Sequence, residues 1–379
     1  MFVEEEDDSM NQRMLSVLLA WLFLFSGCGD VSPTDGSSGE TLEYDLVKVD
    51  SIGVELGDSN YVFGAVIDAV VLTDGRIALL DIIRQKVSVF SHEGEFIGCA
   101  GSGGSGPGQF TSPYSIAPLS GGGFAVADVQ LCKVVFFDSS LVFSRELSGF
   151  TPAGPLRIQG GPEGSIIGSR MNYYFDEEEE TIYSGVEYCR WRGSVEPDLL
   201  YLESYALHTS DDRVFYTFAS AGDGSFFCAP ISETEYVITG FDPAGDTLFT
   251  TELPWSMTPK TQEELDVARP GMVIPGPGSE STSSELSAGW KADSLRNATY
   301  LFGVDSLGRL WAKSGRGAGS TPFFDLFDCE DGSLLMSIET SLPVSASVWA
   351  FRVTESGILG WDHNPSDYPR VYLLELVER

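Results

Sequence analysis

TDGRIALLD, residues 73–81, is one of six passages built on a single plan: a turn with glycine, then four to six apolar or alternating residues. The others are SGGGFAVAD (120–128), GPEGSIIGSR (161–170), AGDGSFFCAP (221–230), DSLGRLWAKS (305–314) and TESGILGWD (354–362). Each reads as a strand entered through a glycine turn, because glycine takes the positive φ such turns need and alternation buries one face. A second run follows each time, such as QKVSVFSHEGEFIGCAG or EYVITGFDPAGDTLFTTELPW, with two strands about a turn. A strand also precedes each glycine turn, as in VIDAVVL (66–72) and ATYLFGVD (298–305). Each unit therefore supplies four strands.

The marker glycines are Gly75, Gly123, Gly164, Gly224, Gly308 and Gly357, spaced by 48, 41, 60, 84 and 49 residues. Four short strands on a period of about 40 to 50 residues are the sequence signature of a β-propeller. The fold expected is all-β, a six-bladed β-propeller with four antiparallel strands per blade. The last unit ends in only one clear strand, PRVYLLELVER, so its fourth must come from elsewhere. TLEYDLVKVD (41–50) alternates, lies ahead of the first blade, and is expected to close the ring as an N-terminal strand. The longest gap, 255–297, reads as an excursion on one propeller face, with Thr261 and Glu264 as the capping box of a short helix. A second excursion, 171–185, lies in the third blade.

Residues 76–140 resemble two consecutive NHL-type repeats. Gly106, Gly108, Gln109, Phe110, Pro113, Asp128, Phe137 and Asp138 fall on the family pattern of a Gly-rich segment, a strand, an apolar run with Asp, and a strand ending in Phe-Asp. The Gly-rich run 101–108 has no Gly-Lys-Ser/Thr and connects two strands, so it is not read as a phosphate loop. Asp81 and Asp128 hold equivalent positions in their blades, which argues for hydrogen bonding a turn.

The N-terminus adds an address. Leu15 to Phe25 is an apolar run of 11, too short to span a bilayer and right for the core of an export signal. Ser26, Gly27 and Cys28 follow, and the arrangement resembles the lipobox of bacterial lipoproteins, with Cys28 as the lipidated residue. Residues 1–27 are then a signal peptide whose true start is placed at Met10, with Met14 as the alternative, because 4–8 are acidic and, from Met10, Arg13 supplies the usual charge. Residues 28–40, rich in Gly, Ser, Pro and Asp, read as a flexible tether, and 41–379 as the propeller. The chain is thus expected to be exported and held at the bacterial cell envelope through Cys28.

A formal net charge of −34 repels nucleic-acid phosphates, so nucleic acid is not expected as a partner. Cys99, Cys132, Cys189, Cys228 and Cys329 are far apart, without a CxxC pair, and read as small core residues, with one or two disulfides as the alternative in an exported chain. His92, His208 and His363 read as loop residues without ligand spacing, and the run 176–180 as a solvated loop rather than a calcium site. No catalytic, cofactor or metal residue is assigned, with Ca²⁺ at 176–180 the one ion considered. Tyr173, Tyr174 and Trp290 are candidates to line a binding face. The leading expectation is a non-catalytic binding module for a protein or glycan, offering loops such as 171–185 and 255–297. The alternative is a metal-dependent hydrolase or lyase, of the kind that gluconolactonase-like propellers place in the central channel. Channel-facing carboxylates from three or more blades would mark that enzyme, and an apolar plug would mark the binder.

Overall fold

The chain reverses at Gly75 between β2 (Val66–Val71) and β3 (Ile77–Asp81), then pairs antiparallel with β4 (Lys86–Phe90) and β5 (Phe96–Ala100). This is the first blade of the computed structural model, which describes residues 43–210, 214–268 and 292–379. The expected signal peptide 1–27, the start at Met10, Cys28, the tether 28–40 and Trp290 lie outside the described residues.

The same four-strand plan repeats. The second blade holds β6 (Pro113–Pro118), β7 (Phe124–Asp128), β8 (Lys133–Phe137) and β9 (Phe143–Ser148). The third holds β10 (Arg157–Gly160), β11 (Ile166–Asp176), β12 (Thr181–Trp191) and β13 (Leu199–Leu207). The fourth holds β14 (Tyr216–Ser220), β15 (Phe226–Pro230), β16 (Val237–Phe241) and β17 (Thr247–Glu252). The fifth holds β18 (Thr299–Val304), β19 (Arg309–Ser314), β20 (Phe323–Asp328) and β21 (Leu334–Glu339). The sixth begins with β22 (Ala350–Thr354), β23 (Gly357–Trp361) and β24 (Val371–Glu378). Its fourth strand is β1 (Tyr44–Ile52), antiparallel to β24 from Tyr44 opposite Glu378 to Ile52 opposite Val371. The ring therefore closes through the N-terminal strand, as the alternation of 41–50 implies.

The innermost strands of neighbouring blades touch all round the ring, from β2 through β6, β10, β14, β18 and β22 back to β2. Between the fifth and sixth blades they meet as a single parallel pair, Gly303 with Val353. Gly303 is required there, since a Cβ would lie 1.9 Å from the Val353 carbonyl oxygen. Gly123 is a second special case. The other five marker glycines have positive φ, as the turn reading requires, whereas Gly123 sits at φ −81° after Gly121 and Gly122 take the positive values. Its constraint is close approach: a Cβ would stand 2.6 Å from the Phe137 carbonyl.

Six apolar clusters fill the six seams between blades. The seam between the first two blades holds Val70, Leu80 and Val89 against Ile116, Val126 and Val135, all fully buried. Inner strands are covered on both faces, so β2, β3 and β7 are buried at every residue, while the rim strand β17 is largely exposed. Cys189 and Cys228 sit in these seams, and burial pushes both thiols up to about 12. Cys99 is exposed on rim strand β5. Maleimide is therefore expected to label Cys99 in the folded chain but Cys189 and Cys228 only in denaturant, read by peptide mass mapping. Equal native labelling of all three would contradict the seam assignment.

The excursion after β17 carries α1 (Gln262–Val267), opened by the expected capping box: Thr261 Oγ1 accepts from Glu264 N, and Glu264 Oε2 accepts from Thr261 N. Residues 269–291 of that excursion lie outside the described residues. The expected loop 171–185 is different in kind. It continues β11 and β12 as one long hairpin, in unbroken register from Ile166–Trp191 to Asp176–Thr181. Its stacked aromatics, Tyr174 on Tyr183 at 4.9 Å, extend the pairing past the body of the blade. Among the described residues no helix is long and apolar enough to cross a membrane.

Candidate functional site

At the ring axis each innermost strand has backbone groups facing the channel with no further strand to pair, and buried groups of that kind need partners. Side chains supply them. Asp68, on β2, accepts Ser115 Oγ and Ile116 N through Oδ2, both at 3.0 Å. Ser115 Oγ accepts Ile158 N at 3.1 Å. Arg352, from β22 on the far side of the ring, donates through Nη2 to the carbonyls of Ile116 (2.8 Å) and Ile158 (2.9 Å). Arg352 is buried, with a relative exposure of 4%. Gln159 continues the network into the fourth blade, donating to Phe218 O and accepting Ser220 N. Thr217 then accepts Leu301 N of the fifth. The axis is thus crossed by a guanidinium held in a polar lattice, rather than filled by the apolar plug or the carboxylate ring that the sequence left open.

Above this network, at the starts of the innermost strands, lies a cavity of about 680 Å³ to which all six blades contribute. Three of its lining residues, Ile67, Tyr114 and Phe302, are bulge residues skipped by the register of β2–β3, β6–β7 and β18–β19. A bulge re-aims a side chain, and here the re-aimed chains line the cavity. Tyr188 and Tyr216 form one wall. The Tyr188 hydroxyl donates to Tyr216 O (3.0 Å) and accepts Tyr216 N (2.8 Å). Trp349 and Trp361 line the sixth-blade side.

The cavity is rich in positive charge despite the acidic chain. Arg157 Nη1 donates to the Tyr300 hydroxyl at 2.5 Å. Lys313 is the cross-strand partner of Tyr300, and its amine donates to the Ser347 carbonyl. Burial pushes the Lys313 amine down to about 8; Glu264 works against the shift and Lys260 and Arg296 add to it. Arg296 pairs with Glu264 at 2.7 Å and donates to the carbonyls of Gly315, Gly317 and Gly319. That pair pins the start and end of the excursion to the fifth blade, so Lys260 and Glu264 stand at the cavity wall.

Of the histidines read as loop residues, His92 and His208 lie away from this cavity, and His208 Nδ1 contacts Ser184 Oγ at 3.2 Å. His363 instead borders it, its imidazole lowered below the usual range first by burial and then by Arg157, against Asp68. Asp81 and Asp128 are fully buried turn acceptors. Asp128 takes Thr111 N, Ser112 N, Gln130 N and Leu131 N, and Asp81 takes Gly64 N, Ala65 N, Ile83 N and Arg84 N. Gln109 and Phe110 of the Gly-rich motif are structural too: Gln109 Oε1 accepts Gly106 N, and Phe110 is buried against Phe137. Tyr173 and Tyr174 are about half-exposed on the long hairpin, outside the cavity. Asp176 caps the hairpin turn by accepting Glu178 N and Glu179 N. Among the described residues no three His, Cys, Asp or Glu side chains converge to hold a metal ion.

The family model described as "6-bladed beta-propeller" matches residues 44–148, the ring-closing strand and the first two blades. Solved structures similar to this chain include a Bacteroides fragilis protein described as exported, at 12% identity and TM-score 0.49, covering 91% of this chain and 98% of that one. Virginiamycin B lyase from Staphylococcus aureus is similar at 11% identity and TM-score 0.41, over 88% of each chain. A member of the duf4221 family from Bacteroides vulgatus is similar at 9% identity and TM-score 0.43, covering 89% of this chain and 99% of that one. No curated protein matches.

Proposed function

We propose that this chain is an exported propeller, lipid-anchored through Cys28 and tethered by residues 28–40, that works as a non-catalytic binding module for a protein or glycan. The NHL-like character of residues 76–140 belongs to the same proposal. One observation carries the binding reading: the 680 Å³ cavity at the starts of the innermost strands, lined by aromatic rings and cations. That volume falls in the range of small-molecule and chain-end sites, about 300–1,000 Å³. It can therefore receive one end of a glycan or peptide, with the rest of the partner running out over the loop face. Aromatic side chains in such a recess are the usual anchors of recognition.

Ile231 offers a test, because it borders the cavity while remaining 44% exposed, so a larger side chain there narrows the recess without disturbing a seam. The full chain is screened against arrays of glycans and peptides, then compared with Ile231→Trp. A hit that weakens about tenfold or more in the variant, at unchanged thermal midpoint, supports the reading. Hits that ignore the substitution place recognition on another surface, and turnover of lactones or esters by the wild-type chain favours the hydrolase alternative.

A further inference from the structure

We propose that the cavity's ligand is an acidic sugar, its carboxylate seated between Arg157 and Lys313. This rests on the binding-module reading and specifies it. Three independent features of the cavity converge on that chemistry.

The first is unspent positive charge. Arg157, Lys260 and Lys313 line the cavity together with Asp68 and Glu264, yet none of the three has a carboxylate of a described residue within 4.0 Å. Elsewhere among the described residues only Lys48, Lys86, Arg145 and Arg352 share that condition; every other described Lys and Arg is ion-paired. In a chain with 56 acidic side chains against 22 basic ones, three of the seven described cations without an ion pair line this one recess. Arg352, on the axis, spends Nη2 on two carbonyls. Arg157 spends one nitrogen, on Tyr300, which leaves the rest of its planar fork for an anion. Lys313, opposite Tyr300 in the β18–β19 register, supplies a second cation on the lining of the same cavity.

The second feature is a set of polar atoms without partners. Trp361 Nε1, His363 Nε2 and Ser347 Oγ are buried and unpaired, and all three residues line this cavity. A buried donor left unpaired costs about 1–3 kcal/mol. A purely apolar guest would leave that cost in place. Several hydroxyls on one small ligand would relieve it.

The third feature is the rings. Partly exposed Tyr300, with the uncovered margin of Trp349, which is buried and stacked on Tyr372, gives apolar ring surface next to the charges, and the C–H face of a pyranose lies well on such a surface. A carboxylate, several hydroxyls and an apolar ring face together describe a uronic-acid unit.

The titration of Lys313 gives the inference a signature. With its amine lowered from 10.5 to about 8, Lys313 is charged at pH 7 and mostly neutral at pH 9. Carboxylate affinity is therefore expected to fall as pH rises through 8. Stability moves the other way. Between pH 8 and 10.5 the unfolded chain holds the proton that the folded chain has lost, so folding is favoured as pH climbs. Opposite trends in affinity and stability distinguish loss of the site from loss of the fold.

The experiment titrates the full chain by calorimetry with D-glucuronate and D-galacturonate, with D-glucose, D-galactose and inorganic phosphate as matched probes, at pH 7 and pH 9. The expected result is uronate binding at least tenfold tighter than the neutral sugar or phosphate, weaker at pH 9, and reduced tenfold or more in Lys313→Met. Lys313→Met removes a buried charge and is expected to keep or raise the thermal midpoint; if it fails to fold, Arg157→Gln makes the same test. Equal binding of uronate and neutral sugar, or full affinity in the variants, overturns the acidic-sugar assignment. A neutral ligand still blocked by Ile231→Trp would leave the binding module intact while removing the anion. Phosphate binding as tight as uronate would overturn the sugar in favour of a phosphate site. Binding of none of the five probes also overturns the acidic sugar, and the array screen then decides whether the module reading stands without it.

Discussion

Replacing Arg352 by alanine is expected to destabilise the ring by about 3–5 kcal/mol, the loss of two hydrogen bonds from a charged donor to buried carbonyls. The guanidinium reaches across the axis from the sixth blade to carbonyls of the second and third, Ile116 and Ile158. Those carbonyls belong to innermost strands with no further strand to pair with on the channel side, and Ile158 O has only the longer contact from Ser115 Oγ, at 3.4 Å, besides Arg352. Asp68, which also shapes this lattice through Ser115 and Ile116, would lose one of its two nearby cations and keep Arg157. The loss is therefore electrostatic and geometric as well as volumetric. Arg352→Met separates these contributions, since it refills most of the space but restores no donor. Urea unfolding followed by circular dichroism is expected to rank wild type above Met and Met above Ala, with Met still at least 2 kcal/mol below wild type. Indistinguishable midpoints for Met and wild type would mean that the axis is held by packing alone.

Asp128→Ala is expected to have a comparable effect, about 3–4 kcal/mol. The carboxylate is fully buried and accepts four backbone N–H groups, at 2.6, 3.1, 3.1 and 2.9 Å, from Thr111, Ser112, Gln130 and Leu131. Those donors come from two segments, the one entering β6 and the turn leaving β7, so a single side chain fastens the inner edge of the blade to its own second turn. Alanine leaves all four donors without this acceptor. Asn keeps one acceptor oxygen and is expected to lose roughly half as much. Asp81 repeats the arrangement in the first blade with Gly64, Ala65, Ile83 and Arg84, so Asp81→Ala should fall within about 1 kcal/mol of Asp128→Ala. A loss below 1 kcal/mol at either position would show that these turns close without their aspartate.

The propeller was legible because its signals are local. Glycine turns, alternating runs and a last unit short of one strand are all visible within a few residues, and ring closure by β1 follows from counting them. The structural role of Asp81 and Asp128 was legible for the same reason, through their repetition by blade. What stayed hidden is what depends on the third dimension. The alternation of VIDAVVL does not reveal the bulge at Ile67, nor do the runs at Tyr114 and Phe302 reveal theirs, yet these irregularities line the cavity. Arg157 in PLRIQG and Arg352 in VWAFRVT carried a signal that went unused: a cation inside an innermost strand must face the axis or unpair a seam. His363 sits in a loop by sequence and beside the cavity in space, since the turn leaving β23 folds over the starts of the inner strands. The run 171–185 read as a loop because of its acidic tip, whereas its flanks, MNYYF and TIYSG, alternate well enough to continue β11 and β12.

The most direct test of the account is a crystal structure of the full chain grown with a glucuronic-acid oligosaccharide. The predicted result is a terminal uronate in the cavity, its carboxylate within hydrogen-bond distance of Arg157 and Lys313 and its ring against Trp349 or Tyr300. An empty cavity, with the sugar on the Tyr173–Tyr174 hairpin or absent altogether, would contradict it.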